Sequence, residues 1–268
     1  MVKKLIKYDF ASYMRLLIPI QLAVLGIAAI NRVVQIFENY DNEIYGIIFG
    51  SSVALYVISM IVALVLTVII AIVRFYQGMY SNEGYLSHTL PVTPTQHIFS
   101  KLIVSMLFML GTLLTIFVSL CIVTLGEMNI ELFKSAGFLL AKGFERLRWN
   151  LPFYIAELLA LMIISFFGGM LMMYFCISVG QLAKKHKILA AVGVYFGIYV
   201  LSQIIGTVFA VYISLNPELF ETLGEWIEAN TEAFFHIVFC IGIVLDVIMT
   251  GVYFFFTRLL MTRKLNLT

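Results

Sequence analysis

Long uncharged apolar runs alternate with short polar segments along this chain. Ile44 to Val73 is 30 residues without a charge, Leu102 to Gly126 is 25, Leu158 to Ala183 is 26 and Ile188 to Pro217 is 30. Ala233 to Thr257 is 25 residues with one charge inside, Asp246. A helix needs roughly 20 apolar residues to cross the hydrocarbon core of a bilayer, so each run predicts one span. A weaker run, Leu16 to Asn31, is continued past Arg32 by Val33, Val34, Ile36 and Phe37. It reads as a first span whose arginine snorkels toward a headgroup layer. None of the runs alternates with period two, which argues against a barrel, and backbone satisfaction in lipid favours helices over an open sheet. The expectation is an all-α integral membrane protein with six transmembrane helices, near residues 17–37, 46–73, 102–126, 158–182, 188–214 and 233–257. Runs of 30 exceed the bilayer, so tilt or protruding ends are expected.

Composition agrees. The 268 residues are 62% hydrophobic and 12% charged, with mean hydropathy +1.02, where ordinary soluble domains carry about 25% charged residues. Charge then sets orientation. With the N-terminus in the cytosol, the inside segments hold 12 of the 17 basic residues and only two acids, Asp9 and Glu83. The outside segments hold five basic residues against twelve acids. The basic loop Lys184 to Lys187 and the glutamate-rich loop 218–232 fall on opposite sides, as the positive-inside rule requires. Both termini are therefore predicted to be cytosolic. The net charge of +2 is a topology signal and carries no suggestion of nucleic acid.

The leader MVKKLIKYDFASYMRLL places Leu5, Ile6, Phe10, Met14 and Leu17 near helical spacing beside Lys3, Lys4 and Lys7. It is expected to be retained rather than cleaved as a signal peptide. It reads either as an N-terminal interfacial helix or as an ordinary basic leader into the first span. In the outer loop 127–157, Phe133, Gly137, Leu140, Phe144 and Leu147 line one helical face opposite Lys134, Lys142, Glu145, Arg146 and Arg148, with Phe138 breaking the pattern. That predicts an amphipathic surface helix. In the outer loop 215–232, Pro217 and the three-residue steps Phe220, Leu223, Trp226 predict a short helix among glutamates.

Catalytic motifs are missing. The chain has no G-x-x-x-x-G-K-[ST] phosphate loop, no H-E-x-x-H and no G-x-S-x-G. His88, His97, His186 and His236 form no ligand pattern, and Cys121, Cys176 and Cys240 all fall inside spans. No cofactor, metal site or enzyme activity is expected. Asp246 is the one acid embedded in a span, so it should face the bundle interior, a cavity or a partner, or be protonated. It reads either as a substrate or proton contact or as one end of a helix-to-helix hydrogen bond to a hydroxyl such as Thr or Tyr. Gly46 with Gly50 and Gly193 with Gly197 form G-x-x-x-G pairs, and Gly168-Gly169 thin the fourth span. All are candidates for close helix approach.

Residues 74–101, RFYQGMYSNEGYLSHTLPVTPTQHIFSK, form the only long inside loop. Ser81-Asn82-Glu83-Gly84 is a turn signal. Thr93-Pro94-Thr95-Gln96 has the form of a capping box with proline at the first helical position, so a helix should start at Pro94 and run through Lys101 into the third span.

The string Glu83-Gly84-Tyr85-Leu86, followed by Thr89-Leu90-Pro91-Val92 and a capped helix ending Ser100-Lys101-Leu102, resembles the permease subunits of bacterial ATP-binding-cassette (ABC) exporters. The segment 7–19, KYDFASYMRLLIP, looks like the same group. The resemblance implies one transmembrane permease domain over residues 1–268, an interfacial N-terminal helix and a cytosolic coupling loop at 74–101. It implies a separate ATPase subunit, a second permease subunit in a homo- or heterodimer, and residence in a bacterial cell membrane among lipid. On the same footing, Glu83, Gly84, Tyr85, Leu86, Thr89, Leu90 and Pro91 would contact the ATPase. Ser87-His88 departs from the bulkier residue expected before Thr89. The rival readings are a secondary transporter or channel acting alone, which needs a midplane ion site, and an accessory membrane subunit without a transport path.

Overall fold

The computed structural model describes residues 2–37, 43–81, 84, 92–124, 134–135, 137–138, 141–142 and 150–263. Among them there is no strand. Seven helices follow in order: α1 (Val2–Ile36), α2 (Glu43–Tyr80), α3 (Pro94–Val123), α4 (Asn150–Gly180), α5 (Lys187–Ser214), α6 (Pro217–Ala229) and α7 (Thr231–Arg263). All except α6 are long and apolar enough to cross a membrane. Most overrun the apolar stretches that announce them. The 38 residues of α2 extend about 57 Å at 1.5 Å per residue, against a hydrocarbon core of about 30 Å. Helical backbone continues into the polar flanks, where it is packed, Tyr13 and Phe75 being fully buried.

The N-terminus shows this best. No interfacial helix is set apart from the first span, because Val2–Ile36 is one helix. No glycine or proline interrupts residues 2–18. The buried stripe Tyr13, Leu17, Val24, Ala28, Asn31 runs from the leader into the span without a change of phase. Pro19 lies inside α1 and forfeits only the hydrogen bond to the Arg15 carbonyl. The third and fourth spans end earlier than expected, at Val123 and Gly180. The outer loop 127–157 is shortened, since α4 already begins at Asn150 with Pro152 in its first turn, where a missing N–H costs little. The amphipathic helix expected at 133–148 lies mostly outside the described residues. Of its described members, Lys142 places its ammonium 4.7 Å from the centre of the exposed Phe138 ring. A cation–π contact one turn apart accounts for that aromatic on the polar face. The short helix among the glutamates is α6, and the helix expected at Pro94 is α3. There the Gln96 side chain accepts from the Thr93 N–H at 3.1 Å, closing one half of the capping box.

The chain forms two compact units, residues 1–78 with 87–148, and residues 79–86 with 149–268. In the first, α1 and α3 run parallel in fixed register. Their side-chain hydrogen bonds join residues 91 or 92 apart, Ser100 and Lys101 to Asp9, Ser105 to Tyr13, and Thr112 to Gln21. The second helix returns antiparallel, with Tyr56 bonded to Ser119, Thr67 to Thr112 and Asn31 to Ser52.

In the second unit, α4 and α7 are the parallel pair. Glu157 meets His236 and Ser165 meets Asp246, at separations of 79 and 81 residues. Phe175 packs against Tyr253 and Phe256 further along. The α5 helix turns back along α4 at Gly180, where an added Cβ would stand 2.7 Å from the Lys187 carbonyl oxygen and from Ala191 Cβ. His186, with φ 56° and ψ 49°, makes that reversal in the left-handed region. Gly168 serves a similar end, since a Cβ there would lie 2.7 Å from Thr250 Oγ1. The two G-x-x-x-G pairs do not act this way. Gly46, Gly50, Gly193 and Gly197 have no atom within 4 Å of a would-be Cβ, because each sits on a face turned away from its neighbours.

The adjacent glycines of α4 give a contrast within one dipeptide. Gly168 faces Thr250, whereas Gly169 has nothing within 4 Å. Gly168→Val is expected to lower thermal stability in detergent by the 1–3 kcal/mol or so of an overpacked interface, and Gly169→Val to leave the melting curve within about 0.5 kcal/mol. Equal melting shifts would remove the close α4–α7 approach.

Candidate functional site

A buried polar assembly lies where α1, α2 and α3 meet at the basic end of the first unit. Asp9, on the N-terminal third of α1, accepts from Lys101 Nζ at 3.1 Å and from Ser100 Oγ at 2.8 Å. The Lys101 side chain is 7% exposed and that of Asp9 19%, so the pair is largely withdrawn from solvent. Burying an ion pair is costly, and it persists only when further hydrogen bonds satisfy the charges. Ser100 supplies one. Gly78 of α2 supplies the room, since Lys101 Nζ rests where any side chain at Gly78 would begin. One turn further, Ser105 donates to the Lys101 carbonyl at 2.8 Å. Its proton is thereby used, so the Tyr13 hydroxyl is the donor across the 3.0 Å contact to Ser105. Tyr13 stacks on Phe108 at 5.4 Å, and Phe10 adds a tilted contact at 4.9 Å.

This cluster is the first rung of a polar seam through the unit. Thr112 donates to the Phe108 carbonyl and accepts from Gln21 Nε2 at 3.2 Å. Tyr56 donates to Ser119, whose own proton goes to the Ile116 carbonyl. Asn31 reaches Ser52 at 3.1 Å. Ser105, Thr112, Ser119 and Ser52 each spend their proton on their own helix, which leaves the oxygen to receive a longer side chain from a neighbour.

The segment expected to meet an ATPase hangs between the two ends of this cluster, after Gly78 and before the capped start of α3. Glu83, Tyr85, Leu86, Thr89, Leu90 and Pro91 lie outside the described residues. Gly84 is described. It is buried, its N–H donates to the Ser81 carbonyl at 2.7 Å, and a Cβ on it would sit 2.6 Å from the Met79 carbonyl oxygen. Only glycine fits so close to backbone. Next to it Tyr80 donates to Ser178 Oγ at 2.7 Å, and Ser178 donates in turn to the Tyr174 carbonyl.

Asp246 lies within α7 and accepts a hydrogen bond from Ser165 Oγ of α4. The partner is a hydroxyl of another helix, though a serine. One turn along, Thr250 packs on Gly168, and its buried Oγ1 has no hydrogen-bond partner among the described residues. Nearer the start of both helices, His236 Nδ1 lies 2.8 Å from Glu157 Oε2, with the Tyr154 ring stacked on the imidazole at 4.0 Å. These acids are spread along the helix pair, and among the described residues no group of three His, Cys, Asp or Glu is placed to hold a metal ion. The arrangement offers hydrogen bonds and charge along the helix pair.

Compared with family models, with curated proteins and with solved structures, the chain matches none.

The seam and the Asp9–Lys101 pair escaped the sequence reading, which treated both charges as flanking topology signals. A signal was present. Asp9, Tyr13, Leu17, Gln21, Val24, Ala28 and Asn31 fall on one stripe at steps of three and four, and polar residues in phase with a buried stripe require partners.

Two predictions test the geometry. Asp9→Asn leaves a buried ammonium without its counter-charge and should cost about 3–5 kcal/mol of stability, the usual penalty for breaking a buried pair. Lys101→Met should cost less, and the double variant should be more stable than Asp9→Asn alone. Additive losses in the thermal-denaturation cycle would show that the pair is not coupled. For the α4–α7 contact, Asp246→Asn keeps an acceptor for Ser165 and is expected to preserve expression, assembly and any transport. Normal assembly with transport lost would instead make the charge functional.

Proposed function

We propose that the chain is the membrane-spanning permease subunit of an ATP-driven ABC transporter, an exporter in a bacterial cell membrane, with ATP hydrolysed by a separate subunit. One observation carries the reading beyond resemblance. The segment holding Glu83 to Pro91 is flanked on both sides by a locked assembly, Gly78 against Lys101 and Lys101 against Asp9. Force applied to that segment by a nucleotide-driven partner would pass into the start of α3 and through the ion pair into α1. The capped helix at Pro94 gives the far end of the segment a fixed direction. The excess of basic residues on this side supports a cytosolic placement, where ATP is found. The missing phosphate loop fits a subunit that borrows its energy.

In this mechanism Tyr85, Leu86, Leu90 and Pro91 form an apolar contact seated on the ATPase, Glu83 adds a polar one, and Gly84 lets the segment leave α2 close to its backbone. A second permease subunit completes the pathway. A stand-alone secondary transporter is the second reading, favoured by the Asp246–Ser165 contact within the spans.

Co-expression with an ABC ATPase encoded beside this gene is expected to yield a co-purifying complex with ATP-dependent flux in liposomes. Leu86→Ala with Leu90→Ala should abolish capture of the ATPase at unchanged expression. Substrate flux by the chain alone, without ATP, would sink the proposal and leave the secondary transporter.

A further inference from the structure

The α5 helix differs from every other span in having no buried residue. It touches α4 near its start, through Lys187 and Ala191 against Gly180, and residues 201–210 are all exposed. Exposure is ordinary for apolar side chains in lipid, but Gln203 and Thr207 are not apolar. Neither side chain makes a hydrogen bond among the described residues. They stand one turn apart on one face. At 100° per residue Gln203 lies about 160° round the helix from Lys187 and about 120° from Ala191, so it points away from α4. It is also deep. It sits about 24 Å along the axis from Lys187 and about 16 Å from Ser214 at 1.5 Å per residue, which puts both membrane surfaces beyond its reach. No water is available at that depth, so an amide there lacks partners unless protein supplies them.

We propose that this face of α5 is the contact with a second copy of the chain, organised around a Gln203–Gln203 hydrogen-bond pair. Three observations select a copy. The carboxamide is both donor and acceptor, so it can pair with itself across a two-fold axis, as isologous contacts require. Two copies inserted in the same orientation place Gln203 at identical depth on parallel helices, which an unrelated partner would match only by coincidence. The face also has the shape for it, since a groove of about 370 Å³ runs between Tyr199, Val200, Gln203, Ile204, Thr207 and Val208. Gly206 beside it has no atom within 4 Å of a would-be Cβ, which leaves space for the opposing backbone. Thr207 supplies a second hydroxyl next to the axis. This inference deepens the proposed function by naming where two permease subunits meet, and it rests on that reading only for the pairing itself. The ATPase plays no part in it.

The test therefore leaves the ATPase out, so that pairing and ATP coupling can fail separately. In a background carrying Cys121→Ala, Cys176→Ala and Cys240→Ala, Gln203→Cys is oxidised in native membranes beside Leu201→Cys. Leu201 is equally exposed, at 62%, close in depth and on the opposite side of the helix. A disulfide-linked band at twice the chain mass is expected for Gln203→Cys and not for Leu201→Cys. Subunit counting by photobleaching in liposomes, with the native cysteines kept, guards against a misfolded background. Gln203→Leu should associate roughly three- to thirty-fold more weakly, the range for interhelical polar contacts in membranes, while Gln203→Asn should stay near the original. Equal cross-linking at both positions, a cross-link to a different protein, monomers of the unaltered chain or unchanged association of Gln203→Leu would each overturn the proposal.

Discussion

A polar side chain within a bilayer finds its hydrogen bonds in protein or goes without, and most of this structure follows from that constraint. Hydrophobicity places six helices in lipid but does not bring one against another, because lipid tails are as apolar as leucine. The seam through the first unit supplies what hydrophobicity cannot. Asp9, Tyr13 and Gln21 of α1 meet Ser100, Lys101, Ser105 and Thr112 of α3 at a separation of 91 or 92 residues. Sliding the helices by one turn would strand each of these groups together. The register is therefore fixed by several bonds of modest individual strength acting on the same coordinate.

The second unit solves the same problem with fewer polar contacts and closer backbones. Gly168 and Gly242 bring α4 and α7 together, with Cβ positions 2.7 Å from Thr250 Oγ1 and 2.9 Å from Leu161 Cδ1. Within that tight pair Asp246 has its serine, while Thr250 Oγ1 has no partner among the described residues. The difference matters for function. A seam bonded at every level moves as a body, whereas a glycine-lined contact with two separate polar pairs, Asp246–Ser165 and Glu157–His236, has fewer bonds to break when it shifts. In the proposed permease, transmission would fall to the first kind of interface and rearrangement to the second.

Spans were legible because twenty uncharged residues have almost no other physical use, and the start of α3 was legible because a capping box is a local device that needs no tertiary partner. Helix ends were less so. The polar leader of α1 and the flank of α2 beyond Arg74 stay helical because they are packed, as Tyr13 and Phe75 show by being fully buried. No local pattern announces packing. The glycines mark the limit of motif reading. Two regular pairs stand open while Gly78, Gly84, Gly168 and Gly180, which follow no spacing rule, sit against lysine, backbone carbonyl, threonine and a helix start. Close approach depends on what the other helix brings, and a single strand of sequence does not hold that information.

Lys101 shows how far one position can combine these effects. On spacing alone it is a basic residue at the end of a span, and in the fold its side chain is nearly out of solvent. Its ammonium fills the place left by Gly78, and its carbonyl receives Ser105, which lets Tyr13 bond across from α1. Asp9 answers the charge at the matching level of the parallel helix. Arginine has the same sign for topology but a wider, planar head that demands more donors' partners than one carboxylate provides, and Gly78 leaves room for a compact ammonium only. The residue is a topology signal by its sign, but the fold selects lysine by its shape. That distinction explains why charge counting offers an orientation for the chain while saying nothing of the contact on which the first unit turns.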